Sequence, residues 1–212
     1  ILGGDHSISY GSLKGVLEYY GNNIHVLWID SHTDINTEAS STTKSKHGMP
    51  ISSLMGFNNE DWGMDNNTHK LRPEQLTYFG INSIDEYEMK KIKELNIDYI
   101  HRDEILSKTP RDLIPEGAPL HISFDVDVLD RVYVPCTGTQ VEHGLDPEFI
   151  NKVLFMSLFF KKFAASVAVI AMLSSCAVVV PRFNNSSTLQ RCDVFTKKIE
   201  LDIVSGNINP GN

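Results

Sequence analysis

Two apolar runs, at residues 24–29 and 120–124, constrain the fold of this chain more than any other feature. Each run is too apolar for a half-exposed strand, so each predicts a buried strand of a parallel sheet. Each leads directly into aspartates, in Asp-Ser-His-Thr-Asp at residues 30–34 and in Asp-Val-Asp at residues 125–127. The alternate spacing places these polar side chains on one face of an extended chain. The pattern therefore predicts a cluster of ligands at the carboxyl edge of a parallel sheet.

Six side chains near this predicted edge have the chemistry of metal ligands. A set with four carboxylates is very unfavourable at buried positions without cations, since unpaired buried charges are strongly disfavoured. Two divalent ions would neutralise it, and ligation by oxygen with some imidazole suits manganese, with iron or cobalt also open. The alternative is that some of these aspartates are helix caps or turn residues. The candidate ligands are His6, Asp30, His32, Asp34, Asp125 and Asp127.

Strand and helix patterns alternate along the first part of the chain. Residues 7–20 and 85–95 predict helices, and residues 76–81 and 97–100 predict further strands. This alternation indicates an α/β domain with a parallel sheet. Residues 35–75 are rich in Ser, Thr, Asn and Gly, and a connection of this length at a strand end predicts a functional loop.

The charge and the cysteines exclude some classes of protein. A net charge of −8 and a pI near 5.4, without a run of Lys or Arg, argue against a nucleic-acid surface. The three cysteines have the spacing neither of zinc ligands nor of a disulfide framework, so we expect a reducing compartment, the cytoplasm, with the mitochondrion also open. Because the chain starts at Ile1 in what reads as the end of a strand, we expect that the natural protein has residues before it.

The character of the sequence changes after residue 152. Residues 163–180 are uncharged and mostly apolar, which reaches the lower length limit of a transmembrane helix, so this segment could seek a membrane. We therefore predict a catalytic domain at residues 1–152 and a divergent tail at residues 153–212. For the tail, foreign sequence or a sequence error is favoured over an evolved insertion.

Three further segments carry candidate functional residues that also have structural explanations. His47, in the long loop, is a candidate proton shuttle or substrate contact, although a lone loop histidine is more often incidental. Asp85 and Glu88 stand three residues apart at a helix start, where acidic residues favour the helix dipole, so a structural role is as well supported as a ligand role. Residues 137–139 predict a turn beside the site.

Together these segments resemble the arginase (ureohydrolase) family. The matching pieces occur in family order and spacing over residues 1–150, and they are Gly3-Gly4-Asp5-His6-Ser7, the segment 30–37, His47-Gly48-Met49-Pro50, the segment 123–127 and Thr137-Gly138-Thr139. Asn36 and the His-Gly-Met-Pro segment resemble arginases proper more than agmatinases. The resemblance implies a three-layer α/β/α sandwich with a mainly parallel sheet, of the arginase/deacetylase type, and a homo-oligomer, expected as a trimer.

The resemblance also implies a cofactor of two Mn²⁺ ions and a role for each candidate residue. One ion would be bound by His6, Asp30, Asp34 and Asp125, and the other by Asp30, His32, Asp125 and Asp127. The implied catalytic residues are Asp34 and His47, the latter as proton shuttle. The implied substrate contacts are Asn36 and Thr43 at the α-carboxylate, Asp85 and Glu88 at the α-amino group, and Thr139 at the guanidinium end.

The implied activity is hydrolysis of the guanidino group of L-arginine to ornithine and urea. A guanidinium is resonance-stabilised and therefore a poor electrophile, so water alone hardly attacks it. Two metal ions lower the pKa of water and present hydroxide at neutral pH. The cluster would also stabilise the tetrahedral intermediate.

Two departures from the family pattern leave alternatives open. The segment Thr43-Lys44-Ser45 lacks an asparagine that family members use at the α-carboxylate, so another ureohydrolase, such as an agmatinase, is an alternative. Family members also place a glutamate for the guanidinium on a late strand. Counting from Asp127 at family spacing reaches the region of Ile170, where there is no acid, and a similar run at residues 201–204 is followed by Ser205. A metal-binding but inactive protein is therefore a further alternative.

Overall fold

The computed structural model describes residues 2–58, 62, 69–105, 107–108, 114–115, 117–151 and 170–174. Within them, one sheet contains six strands, and all neighbouring strands run parallel. The strands are β1 (Leu2–Gly3), β2 (His25–Ile29), β3 (Leu76–Ile81), β4 (Asp98–His101), β5 (Leu120–Asp125) and β6 (Ile170–Ser174). The helices are α1 (Ile8–Tyr20), α2 (Pro50–Met55) and α3 (Glu86–Leu95). The order across the sheet is β1-β6-β5-β2-β3-β4, so β5 and β2 lie at its centre.

Both faces of the sheet are covered, which explains why its central strands are apolar throughout. All of β2 is buried, as expected for a parallel strand between two layers. Val26 and Trp28 pack in the core that contains residues of α1, α2 and α3, whereas Leu27 and Ile29 pack in a second core on the opposite face. That second core includes Val128 and other residues of the chain after β5. The expected α/β fold with a parallel sheet is thereby confirmed.

The predicted strands and the two predicted helices agree with the structure to within one residue at each end. Helix α1 ends at Gly21, whose φ of 57° is a conformation that favours glycine. The long loop at residues 35–75, by contrast, contains α2, which the sequence does not predict. Six residues are too few for a helical period to be recognised, and all six are buried. Packing, including contacts with α1, therefore stabilises this helix rather than local propensity.

Strand β6 lies inside the apolar segment that the sequence suggests could seek a membrane. It pairs with β5 on one side and with β1 on the other, so residues 170–174 form an inner strand of the sheet and the membrane interpretation is wrong for them. The strand begins at Ile170, where family spacing predicts a late strand. No helix in the described ranges is long and apolar enough to cross a membrane. The rest of residues 163–180, and residues 201–204, lie outside the described residues.

A glycine in β3 allows the chain after β5 to approach the carboxyl ends of the central strands. Gly80 has a φ of 95°, in the region that favours glycine. A Cβ atom at this position would lie 2.6 Å from Cγ2 of Val128 and 3.5 Å from the carbonyl oxygen of Asp30. The missing side chain therefore leaves room for the segment that follows β5 beside the carboxyl end of β2.

His121 in β5 is a buried histidine whose two ring nitrogens have no hydrogen-bond partner in the structure as described. Burial lowers its pKa from 6.5 to about 4. The unfolded chain therefore takes up a proton at His121 below pH 6.5, whereas the folded chain does so only near pH 4. Since the unfolded state binds more protons in this window, this residue makes the protein less stable as the pH falls.

We predict that His121→Leu makes the free energy of unfolding less dependent on pH. Between neutral pH and the pKa of the buried ring, the variant should lose about 2–3 kcal/mol less stability than the wild type. Urea unfolding at a series of pH values measures this difference. The exposed His69 provides the control, since His69→Gln should keep the wild-type slope. Equal slopes for the wild type and His121→Leu would contradict the prediction.

Candidate metal centre

The six candidate ligands meet at the carboxyl edge of the sheet. Because β2 and β5 are neighbours with Ile29 paired to Phe124, Asp30 and Asp125 stand side by side at the strand ends. His6 arrives from the turn that follows β1, on the other side of β6. The parallel sheet therefore brings together residues that are far apart in the sequence.

His6 lies at the centre of a first group of ligands. Its Nδ1 is 2.8 Å from Oδ2 of Asp30, 3.0 Å from Oδ2 of Asp34 and 3.3 Å from Oδ2 of Asp125. This nitrogen is buried and makes no hydrogen bond in the structure as described. A ring nitrogen carries at most one proton, so hydrogen bonding cannot account for three converging carboxylates. Ligation of a shared cation would account for them.

Asp30 also belongs to a second group, with His32 and Asp127. Nδ1 of His32 is 3.5 Å from Oδ1 of Asp30 and 3.2 Å from Oδ2 of Asp127. Oδ1 of Asp127 is buried and has no hydrogen-bond partner among the described residues. In each of the two groups, the potential ligand atoms lie within 4.8 Å of one another. Asp30 turns a different oxygen to each histidine, which suits a bridging carboxylate, and the donor set fits metal ions.

Burial and neighbouring charges together raise the pKa values of three members of the centre. Burial acts to lower the pKa of His32, but Asp127 and Asp30 together raise it to about 12. Burial and repulsion from Asp30 raise the pKa of Asp127 to about 7. Burial and repulsion from Asp127 likewise raise the pKa of Asp125. The buried carboxylates are therefore stabilised by positive charge, which either protons or metal ions supply.

Two residues that the sequence does not single out support these ligands. The ring of Trp28 stacks on His6 with centroids 4.1 Å apart, and its Nε1 donates to Oδ2 of Asp30 over 3.1 Å. Oγ of Ser123 lies 2.9 Å from Nε2 of His6, and such a hydrogen bond on the second nitrogen orients a metal-binding imidazole. The available signal was strand alternation, which puts Trp28 on the face of Asp30 and Ser123 on the face of Asp125.

The residues predicted to bind the amino-acid end of a substrate contact one another. Nδ2 of Asn36 donates to Oδ2 of Asp85 over 2.8 Å, and Oγ of Ser40 donates to Oδ1 of Asn36 over 2.7 Å. Asp85 is also the N-cap of α3: it accepts from the backbone N–H of Glu88, whose side chain accepts from the backbone N–H of Asp85. Asp85 and Glu88 thus have the helix-capping role that the sequence allowed for them. Their role as ligands stays a prediction.

The remaining predicted residues lie in the loops that follow β2 and β5. His47 is half-buried in the short 3-10 turn Lys46–Gly48, and it makes no hydrogen bond to the six candidate ligands. Thr43 is exposed, and its hydroxyl accepts from the backbone N–H of Ser45. Thr139 is half-buried, with its carbonyl accepting from Thr137. These residues therefore lie in loops that follow the carboxyl ends of β2 and β5, and their contacts with a substrate stay predictions.

Cys136 is disulfide-bonded, which the cysteine spacing did not predict. Spacing recognises repeated frameworks, but a pair of cysteines that are distant in sequence depends on the fold. Disulfides persist mainly in oxidising compartments, and the compartment of this chain stays a prediction.

Comparisons with known proteins place the chain in a family. The family model described as "Arginase family" matches residues 1–162. The arginase of Eremothecium gossypii is 37% identical over 155 residues, which cover 68% of this chain and 39% of that protein. For the arginase of Saccharomyces cerevisiae, the identity is 36% over 163 residues, covering 68% of this chain and 47% of the relative. The chain thus spans less than half of the length of these two curated relatives.

A solved structure shows the same architecture. The crystal structure of arginase from Bacillus subtilis superposes with a TM-score of 0.79 at 25% sequence identity. The match covers 98% of this chain and 72% of that one. The parallel sheet and the ends of its strands are therefore those of a known enzyme fold.

We predict that Asp30→Asn weakens the binding of two ions, whereas Asp127→Asn weakens the binding of one, because Asp30 belongs to both ligand groups and Asp127 to one. Titration with Mn²⁺, followed by the electron paramagnetic resonance signal of the free ion, measures number and affinity. Loss of a direct ligand should exceed the roughly 10–100-fold effect of losing an outer partner. The exposed Asp103 is the control, since Asp103→Asn should bind as the wild type does. Equal losses in the two ligand variants would contradict the bridging role.

Proposed function

Since the chain belongs to the arginase family, we propose that it hydrolyses L-arginine to ornithine and urea with two Mn²⁺ ions bound at the metal centre. The observation that carries the proposal is the pair of ligand groups that share Asp30. Carboxylates and imidazole suit manganese, whereas softer metals prefer thiolate ligands. The family consists of metal-dependent hydrolases, which agrees with a centre of this composition.

The proposed chemistry needs a strong nucleophile and a proton donor. When bound, a pair of divalent ions lowers the pKa of water and so supplies hydroxide near neutral pH. Asp34, beside His6 in the first ligand group, would orient the attacking water and accept its proton. His47, in the loop after β2, would deliver a proton to the departing amine. Without that proton the amine is a poor leaving group, so Asp34 would assist formation of the new C–O bond and His47 cleavage of the C–N bond.

The substrate would bind with its guanidinium at the metal centre and its amino-acid end at the start of α3. Asp85 would receive the α-amino group together with Glu88, since both acids lie at that helix start. Asn36 and Thr43 would bind the α-carboxylate from the loop after β2. In the loop after β5, Thr139 would line the guanidinium end.

A second candidate function is metal binding without hydrolysis, and the sequence of β6 favours it. The strand reads Ile-Ala-Met-Leu-Ser and contains no acid, whereas family members place a glutamate for the guanidinium on a late strand. A third candidate is hydrolysis of a related guanidino compound such as agmatine. The segment Thr43-Lys44-Ser45 favours this third candidate, because it lacks the asparagine that family members use at the α-carboxylate.

The oligomer and the compartment belong to the same proposal. We propose a homo-oligomer, a trimer, by resemblance to the family. The cytoplasm is the proposed compartment. Sedimentation of the purified chain and fractionation of cells that express it address these two points.

Release of urea from arginine and from agmatine, with Mn²⁺ present, tests the function. Turnover of arginine supports the proposal, and turnover of agmatine alone supports the related hydrolase. A chain that binds two ions per molecule but releases urea from neither compound supports the inactive metal-binding protein. Each outcome therefore favours a different candidate.

We predict that His47→Asn lowers kcat for arginine by about 100-fold or more, because general acid catalysis typically contributes this much. The bound Mn²⁺ should stay unchanged, since His47 has no hydrogen bond to the ligands. Steady-state kinetics and metal analysis of the same preparation measure both quantities. The matched control is His69→Asn, at an exposed position, which should retain wild-type activity. A variant at position 47 with normal kcat would exclude the shuttle role.

A further inference from the structure

Asp34 has an unusual backbone conformation for a metal ligand. Its φ of 50° lies in the left-handed region, which residues other than glycine adopt rarely and which persists where the surroundings enforce it. In this conformation its Oδ2 comes within 3.0 Å of His6 Nδ1. The surroundings of the preceding residue, Thr33, show what enforces it.

Thr33 is fully buried and is held by two other elements of the fold. Its hydroxyl donates to Oε1 of Glu88 in α3 over 2.7 Å. Its carbonyl oxygen accepts from the hydroxyl of Tyr78 in β3, also over 2.7 Å. Both bonds are buried, where hydrogen bonds are electrostatically stronger than in water. The peptide between Thr33 and Asp34 is therefore fixed from two sides.

Helix capping explains only half of the contacts of Glu88. Its Oε2 accepts from the backbone N–H of Asp85, as a capping box requires. Its Oε1 is directed instead to Thr33, away from the helix, and the side chain is buried. An acid that only capped α3 would need no such partner. The second bond ties the start of α3 to the turn that carries the metal ligands.

The carbonyl of Asp34 is fixed as well. It accepts from the backbone N–H of Ile51 in α2 over 3.1 Å. The residue thus has hydrogen-bonded peptides on both sides, and its side chain is the part that reaches the metal centre. The second ligand group, which consists of Asp30, His32 and Asp127, does not include Asp34.

We propose that Glu88, Thr33 and Tyr78 form a clamp that holds Asp34 in its left-handed conformation and so positions it as a ligand of one of the two metal ions. The three are positioning residues, because they act on the metal through Asp34. This inference rests on the proposed two-metal centre. It predicts that removal of a hydrogen bond of the clamp weakens binding of the ion at the first ligand group and leaves binding of the other ion unchanged.

Binding of Mn²⁺ to the wild type and to four variants tests the clamp. Thr33→Val removes the hydroxyl with little change of volume, and Tyr78→Phe removes the other bond. Each should lower the affinity for one of the two ions by about 10–100-fold, the usual effect of losing an outer partner of a metal ligand. Thr33→Ser retains a hydroxyl and should restore binding close to that of the wild type. The paramagnetic resonance titration counts the bound ions, and its result does not depend on catalytic activity.

Thr77→Val provides the matched control. Thr77 is also fully buried, and its hydroxyl bonds His25 Nε2 over 2.9 Å, in β3 and without contact to the ligand groups. This variant should lose stability without selective loss of one ion. If Thr33→Val does not fold, Tyr78→Phe and Thr33→Ser still decide the result.

The outcomes separate the clamp from the proposed function. Selective loss of one ion in Thr33→Val or Tyr78→Phe, but not in Thr77→Val, supports the clamp. Unchanged binding, or equal weakening of both ions, overturns the clamp and leaves the two-metal centre intact. A wild-type chain that binds no Mn²⁺ overturns both, since no ligand would then need positioning.

Discussion

Repulsion among four buried carboxylates is the interaction on which the rest of this structure depends. Asp30, Asp34, Asp125 and Asp127 are all buried at one edge of the sheet. Removing ions from water is unfavourable by several kcal/mol each unless opposite charge compensates. The two imidazoles compensate part of it, which is why Asp127 and Asp30 raise the pKa of His32 to about 12. The folded state therefore favours cations at this edge, and metal binding and stability are linked.

Strand geometry explains how so many charges reach one place. The apolar bodies of β2 and β5 form the centre of the sheet, so their ends can only be adjacent. Alternation along each strand then decides the neighbours of each ligand. In β2 it sets Trp28 below Asp30, where the indole both stacks on His6 and donates to the carboxylate. Trp28 thus contributes both to the core and to the orientation of His6 and Asp30.

The sequence was sufficient where a pattern is local and repeated, and insufficient where a contact depends on the whole fold. Apolar runs identified β2 and β5, and the charged period identified α3, because such signals extend over several residues. Helix α2 and the link between Thr33 and Glu88 leave no such signal, since each depends on packing between distant segments. The apolar composition of residues 163–180 suits both a membrane helix and a buried strand. Pairing of β6 with β5 resolves that ambiguity for residues 170–174.

Helix capping and substrate binding are not exclusive roles for an acid such as Asp85. An ionised carboxylate has about four lone-pair sites, and the internal bonds of Asp85 take up Oδ1 with Glu88 and Oδ2 with Asn36. Sites therefore remain on the same oxygens for an ammonium group. A rigid cap even favours such a role, because a side chain fixed by its helix loses little entropy when a ligand binds. The capping box that begins α3 is thus compatible with the proposed role of Asp85 in binding a substrate.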